Sequence, residues 1–140
     1  MSVPPRPWPA VATPQRGPVG ATPLRGPAGA TALQLVRAGY GAALLLVPGP
    51  AIRLATGRPA SLGTRRIARV LGARHLAQVA LTAAAPSSAV FAAGSQVDTL
   101  HAASMFLLAA VSRPGRRPAL TDALTEAAFA AAGRSVSARR

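Results

Sequence analysis

A chain of 140 residues has room for one domain and little else. It has no cysteine, which excludes disulfides and thiolate metal centres. All 16 of its basic residues are arginine, set against Asp98, Asp122 and Glu126 as the three acids. The resulting charge of +13 favours anionic partners, either phospholipid headgroups or nucleic acid. The absence of lysine beside abundant Ala, Gly, Pro and Arg reads as the codon bias of a GC-rich genome, so arginine number alone carries little functional weight.

Half of the residues are hydrophobic, but only five are aromatic: Trp8, Tyr40, Phe91, Phe106 and Phe129. Alanine and leucine, the main apolar types, are strong helix formers. No stretch alternates apolar and polar residues long enough to suggest a half-buried strand. The expected class is all-α. Alanine buries little area, so at roughly 25 cal/mol per Å² such a core would hold a soluble fold weakly. In a bilayer, small side chains instead let helices pack closely.

Residues 1–30 are rich in proline and glycine and contain a nine-residue near-repeat, Thr13–Ala21 and Thr22–Ala30. Proline removes donors and blocks helix, so a disordered tail is expected there. It has no apolar core of the kind a signal peptide needs. The first helix is expected over 30–47, stopped by Pro48-Gly49-Pro50, with a short amphipathic piece at 51–56. The second is expected over 61–85, with Ser61 as N-cap and Pro86 as its end. The third covers 88–111 and stops at Arg113-Pro114-Gly115. The fourth starts near Pro118 and ends near Gly133, and residues 134–140 read as a basic tail. The architecture expected over 31–133 is a four-helix antiparallel bundle set in a membrane.

The membrane expectation rests on two features. Residues 38–50 hold no ionisable side chain except Tyr40, and 102–111 show no polar face. The arginines gather at helix ends, where they can reach headgroups. Against this stand the charges inside each segment: Arg37 in the first, Arg65, Arg66, Arg69, Arg74 and His75 in the second, Asp98 and His101 in the third, and Asp122 and Glu126 in the fourth. Each costs ~2.5–3.5 kcal/mol at a span centre on insertion scales. The loop at 86–96 lacks arginine, whereas the far ends of that hairpin carry Arg53, Arg58, Arg65 and Arg66, and Arg113, Arg116 and Arg117. By the positive-inside rule the hairpin starts and finishes on the cytoplasmic face. The expected location is the cell membrane, with several passes.

Val36-Arg37-Ala38-Gly39-Tyr40-Gly41 and the stretch Ala68-Arg69-Val70-Leu71-Gly72-Ala73-Arg74-His75-Leu76 resemble a loosely defined group of four-helix small membrane proteins found in high-GC bacteria. The resemblance covers about residues 32–111. It implies a four-helix membrane fold and no established activity.

Asp98 and His101, three apart, share a helix face. Arg74 and Gln78 share another, with His75 beside them. These residues and Arg37 could form a polar cluster inside the bundle. One reading is a proton relay or small polar ligand site used by a membrane enzyme or transporter. The other, preferred, is an Asp98–Arg37 or Asp98–Arg74 pair that fixes helix register. His75, His101 and Asp98 match a facial triad in residue type, but nothing in the sequence brings them together, so no metal or other cofactor is expected. Asp122 and Glu126 are expected to solvate the start of the last helix. Arg113, Arg116 and Arg117 form a basic turn suited to anionic headgroups.

Residues 64–82 resemble a degenerate helix-turn-helix, the basis of a soluble DNA-associated alternative. The would-be reading helix offers only Arg74, His75 and Gln78 as polar groups, which disfavours nucleic acid. The function expected is that of a non-enzymatic accessory or structural membrane protein. Its partners would be the bilayer, its anionic headgroups and another membrane protein.

Overall fold

The computed structural model describes residues 27–113 and 115–138, and they are helical throughout apart from short connections. The helices are α1 (Pro27–Leu46), α2 (Pro48–Thr56), α3 (Leu62–Ala84), α4 (Ser88–Val111) and α5 (Arg116–Ser137). Residues 1–26 and 139–140, most of the expected tails, lie outside the described residues. Two expected limits shift. Residues 27–30 belong to α1, because proline fits the first turn of a helix, where no N–H is needed. The last helix runs on past Gly133 to Ser137, because Gly133 and Val136 are buried and extend the packed face.

Local chemistry sets the breaks. Pro48 cannot donate to the preceding turn, so α1 ends at Leu46 and α2 departs from it at 112°. Gly57 closes α2 at φ 70°, the left-handed conformation that glycine adopts without strain, and its N–H returns to the Arg53 carbonyl at 2.8 Å. Ser61 and Ser87 cap α3 and α4, accepting from Thr64 N at 3.1 Å and Val90 N at 3.3 Å.

The four long helices form two tightly packed antiparallel pairs, α1 with α3 and α4 with α5. In the first pair, Gly41 faces Gly72. A Cβ at Gly72 would lie 2.6 Å from the Gly41 carbonyl oxygen and 2.7 Å from Leu45 N, so only hydrogen fits between the backbones. In the second, Gly133 lies against Ser95, whose hydroxyl would collide with any added Cβ. Small residues at a crossing admit close helix approach. Between the pairs the packing is thinner, and the backbones of α1 and α4 nowhere come within 8 Å.

The interior is not a conventional apolar core. Among the described residues, five large apolar side chains are buried (Leu33, Leu44, Phe91, Phe129 and Val136), and the other buried apolar residues are alanines. Seventeen large apolar side chains are exposed, including Leu35, Leu54, Ile67, Val70, Leu100, Leu107 and Val111. Meanwhile His75, Asp98 and Glu126 are fully buried. The described residues thus bury more charge and expose more large apolar side chains than is usual in a water-soluble bundle.

The antiparallel arrangement also sorts the arginines. The α1–α2–α3 connections and the α4–α5 turn lie at one end, with exposed Arg53, Arg58, Arg65, Arg66, Arg113, Arg116 and Arg117. Among the described residues, the other end carries only Arg134.

Candidate functional site

The space between the two helix pairs is filled by charge. The first pair contributes Arg37 from α1 and Arg74, His75 and Gln78 from α3. The second contributes Asp98 and His101 from α4 and Asp122 and Glu126 from α5. All three acids of the chain are therefore in this one place, with the buried Arg37 and the part-buried Arg74 opposite them.

Spacing explains why they meet. On α5, Ala119, Ala123, Glu126, Ala130 and Gly133 recur every three or four residues, the period of one helical face. On α4 the corresponding face is Phe91, Ser95, Asp98 and Ala102. On α1 it is Leu33, Arg37, Gly41 and Leu44. The charged groups sit on the very stripes that small residues pull together.

Asp98 accepts from Arg37 Nη2 at 2.6 Å and from Gln78 Nε2 at 3.0 Å, and Arg74 Nη2 stands 3.6 Å from its other side. Arg37 also donates through Nη1 to Gln78 Oε1 at 2.5 Å. A closed triangle of Arg37, Gln78 and Asp98 thus links α1, α3 and α4. Arg74 donates to Glu126 Oε2 at 2.5 Å, tying α3 to α5. His75 Nε2 is 2.8 Å from Glu126 Oε1, off-line for a hydrogen bond, so neither atom completes one. The rings of Tyr40, His75 and Phe129 contact one another edge-on or tilted at 5.2–5.8 Å between centroids. The Arg37 guanidinium carbon sits 4.8 Å from the Phe129 centroid, a cation–π contact on its open side.

The expected Asp98–Arg37 pair is present, and Arg74 approaches the same carboxylate less closely. Asp98 and His101 share α4, but they serve different partners. Asp98 turns to α1 and α3, whereas His101 Nε2 lies 2.7 Å from Asp122 Oδ2 on α5. The expected placement of Asp122 and Glu126 is corrected: both join the interior, and Glu126 is fully buried. Their i, i+4 spacing in line with Ala119, Ala123 and Gly133 is the mark of this inward face in the sequence. Tyr40 packs on His75 and Phe129 in the same interior, a contact that no charge or spacing pattern in the sequence marks.

His75, His101 and Asp98 do not form the triad considered above. Among the described residues, the group whose ligand atoms come together, all within 4.8 Å, is His101, Asp122 and Glu126. Arg74 already occupies one Glu126 oxygen, and its positive charge opposes a cation there. The helix-turn-helix alternative also meets a correction, since α3 runs unbroken through 64–82 and leaves no turn. Arg113, Arg116 and Arg117 are exposed at the α4–α5 turn, and Arg116 Nε donates to the Ala109 carbonyl at 3.0 Å near the end of α4.

Burial ranks the links. His101 and Asp122 keep 26% and 19% of their side-chain surface, whereas Asp98 and Glu126 keep none. Solvent weakens the first pair. His101→Ala is therefore expected to cost about 1 kcal/mol in chemical or thermal unfolding. A loss as large as that of Asp98→Ala would contradict this ranking.

In comparisons with known proteins, no family model, no curated sequence and no solved structure matches this chain.

Proposed function

We propose that the protein is a small, multi-pass integral membrane protein of the cell membrane, with a structural or accessory rather than an enzymatic role. The observation that carries this reading is the exposure of many large apolar side chains around an interior that holds charged groups beside a small apolar core. In water, seventeen exposed large apolar residues would have no compensation. In hydrocarbon they are solvated, and the inward charges neutralise one another.

Among the described residues no single helix is long and apolar enough to cross a membrane, although the bent α1–α2 pair reaches the threshold by length and composition. That test judges each helix alone. Here the groups that lower each helix's score are partnered by groups on its neighbours, so the assembled bundle presents a more apolar surface than its parts. The four long helices have 20 to 24 residues, or about 30–36 Å at 1.5 Å per residue, against a hydrocarbon core of about 30 Å. The arginine-rich end supports a cytoplasmic placement against anionic headgroups, with Arg113, Arg116 and Arg117 among the contacts.

The network supports a structural role better than a proton relay. Asp98 is fully buried and engaged by Arg37 and Gln78 with Arg74 nearby, so no face of it is open to an incoming group. A second membrane protein is the partner class that fits an accessory role. The DNA-associated alternative has no helix-turn-helix to rest on.

Fractionation tests the proposal. The full chain is expected to stay with membranes through molar salt and alkaline carbonate, and to leave only with detergent. Charge-held proteins are released by salt. Release by salt, or a monodisperse protein in surfactant-free buffer, would overturn the membrane reading.

A further inference from the structure

Beside the charge network lies a cavity of about 320 Å³ between α1, α3 and α4. It sits where the two helix pairs part, since α1 and α4 meet only through side chains, their Cα atoms nowhere within 8 Å. Its walls are largely apolar: Leu33, Leu81, Val90, Phe91 and Val97. Leu81 and Val97 are exposed, so the cavity reaches the outer surface of the bundle. Arg37, Gln78, Gln34 and Thr82 supply its polar lining, and the Thr82 hydroxyl is spent on the Gln78 carbonyl.

Two atoms of that lining are buried without a hydrogen bond, Arg37 Nε and Gln34 Oε1. They are of opposite kind. The guanidinium N–H is a donor lacking an acceptor, and the amide oxygen is an acceptor lacking a donor. Arg37 is 4% exposed, and its other nitrogens are committed to Asp98 and Gln78. Leaving a buried polar atom unpaired is costly, and native interiors rarely do so without a reason. Water is a poor remedy. The volume would take roughly ten molecules at about 30 Å³ each, and walls this apolar satisfy few of them.

We propose that this cavity binds an amphiphile with one apolar chain and a neutral hydroxyl head. The hydroxyl oxygen accepts from Arg37 Nε and its O–H donates to Gln34 Oε1, while the chain fills the space along Leu81, Val90 and Val97. A neutral head is favoured because the Arg37 charge is already balanced by Asp98. A carboxylate would bring a second anion beside that carboxylate without a cation to match it. A plain hydrocarbon would leave both orphan atoms unpaired. The inference goes beyond the membrane reading and does not depend on it, since walls and orphan atoms are the same in either surrounding.

The test uses a dodecanol carrying a mid-chain diazirine. It is photolysed with the full-length protein in phosphatidylcholine nanodiscs, or in plain buffer if the chain proves water-soluble. Crosslinks are mapped by peptide mass spectrometry. Labelling is expected at the cavity residues of α3 and α4, displaced by excess dodecanol but not by dodecane or dodecanoate. Gln34→Leu removes the orphan acceptor without touching the charge network, and should weaken binding roughly tenfold, the size of one lost hydrogen bond. Val97→Trp, which fills the cavity from its outer rim, should abolish site labelling while the melting temperature holds. Labelling spread evenly over all exposed apolar faces, or equal displacement by dodecane, would overturn the proposal. So would dodecanoate binding more tightly than dodecanol, or an unchanged affinity in Gln34→Leu.

Discussion

Asp98→Ala is expected to lower stability by about 3–5 kcal/mol, the usual cost of removing one partner from a buried ion pair. The change strips Arg37 of its carboxylate at 2.6 Å and Gln78 of its acceptor at 3.0 Å. Arg37, 4% exposed, cannot reach water to recover solvation. The loss therefore comes mainly from the charge left behind, not from the bond removed. That origin has a signature. In Arg37→Met/Asp98→Leu both ions are gone, and stability should return most of the way, because replacing a whole buried pair by apolar groups is often neutral. Asp98→Asn should fall between, since it keeps an acceptor but not the charge. Unfolding of the purified protein by denaturant or heat, under one set of conditions for all four chains, reads the series. A double variant no better than Asp98→Ala would mean that Asp98 does something other than neutralise Arg37.

The second large effect is expected at Gly72. Alanine there places its Cβ 2.6 Å from one backbone atom of α1 and 2.7 Å from another, and backbone cannot swing aside as a side chain can. The helices must separate, at a cost of about 1–3 kcal/mol or more, as in overpacked cores. Separation also disturbs the site, because Arg37 and Gln78 lie on those two helices and meet at 2.5 Å. Gly39 is the control. It is exposed on α1, and a Cβ there meets nothing within 4 Å. Gly39→Ala should be neutral or stabilising by roughly 0.5–1 kcal/mol, since glycine is a poor helix residue. If Gly72→Ala melted with Gly39→Ala, the close crossing of α1 and α3 would be disproved.

These two sites show how differently the parts of the protein were written into its sequence. Helix positions follow from local rules. Pro48, Gly57 and Pro86 interrupt, Ser61 and Ser87 cap, and alanine with leucine fills between, so the long helices are legible to within a few residues. The Arg37–Asp98 pair was among the candidates, because a buried acid needs a cation and the chain has only three acids to partner. The rest of the network was hidden. Nothing in the order of residues distinguishes an Asp122 that faces solvent from one that faces His101, since a helix shows every residue type on some face. Only the rotation of α5 against α4, fixed by Gly133 seated on Ser95, turns Asp122 and Glu126 inward.

What the sequence determined by itself was the set of helices, their ends and the clustering of arginine at those ends, because each depends on neighbours along the chain. What the tertiary structure decided was the pairing of α1 with α3 and of α4 with α5, the gathering of all three acids between the pairs, and the cavity beside them. Those depend on which faces touch. That choice is governed by how closely two backbones can approach at a glycine and by which charges must be neutralised once water is excluded.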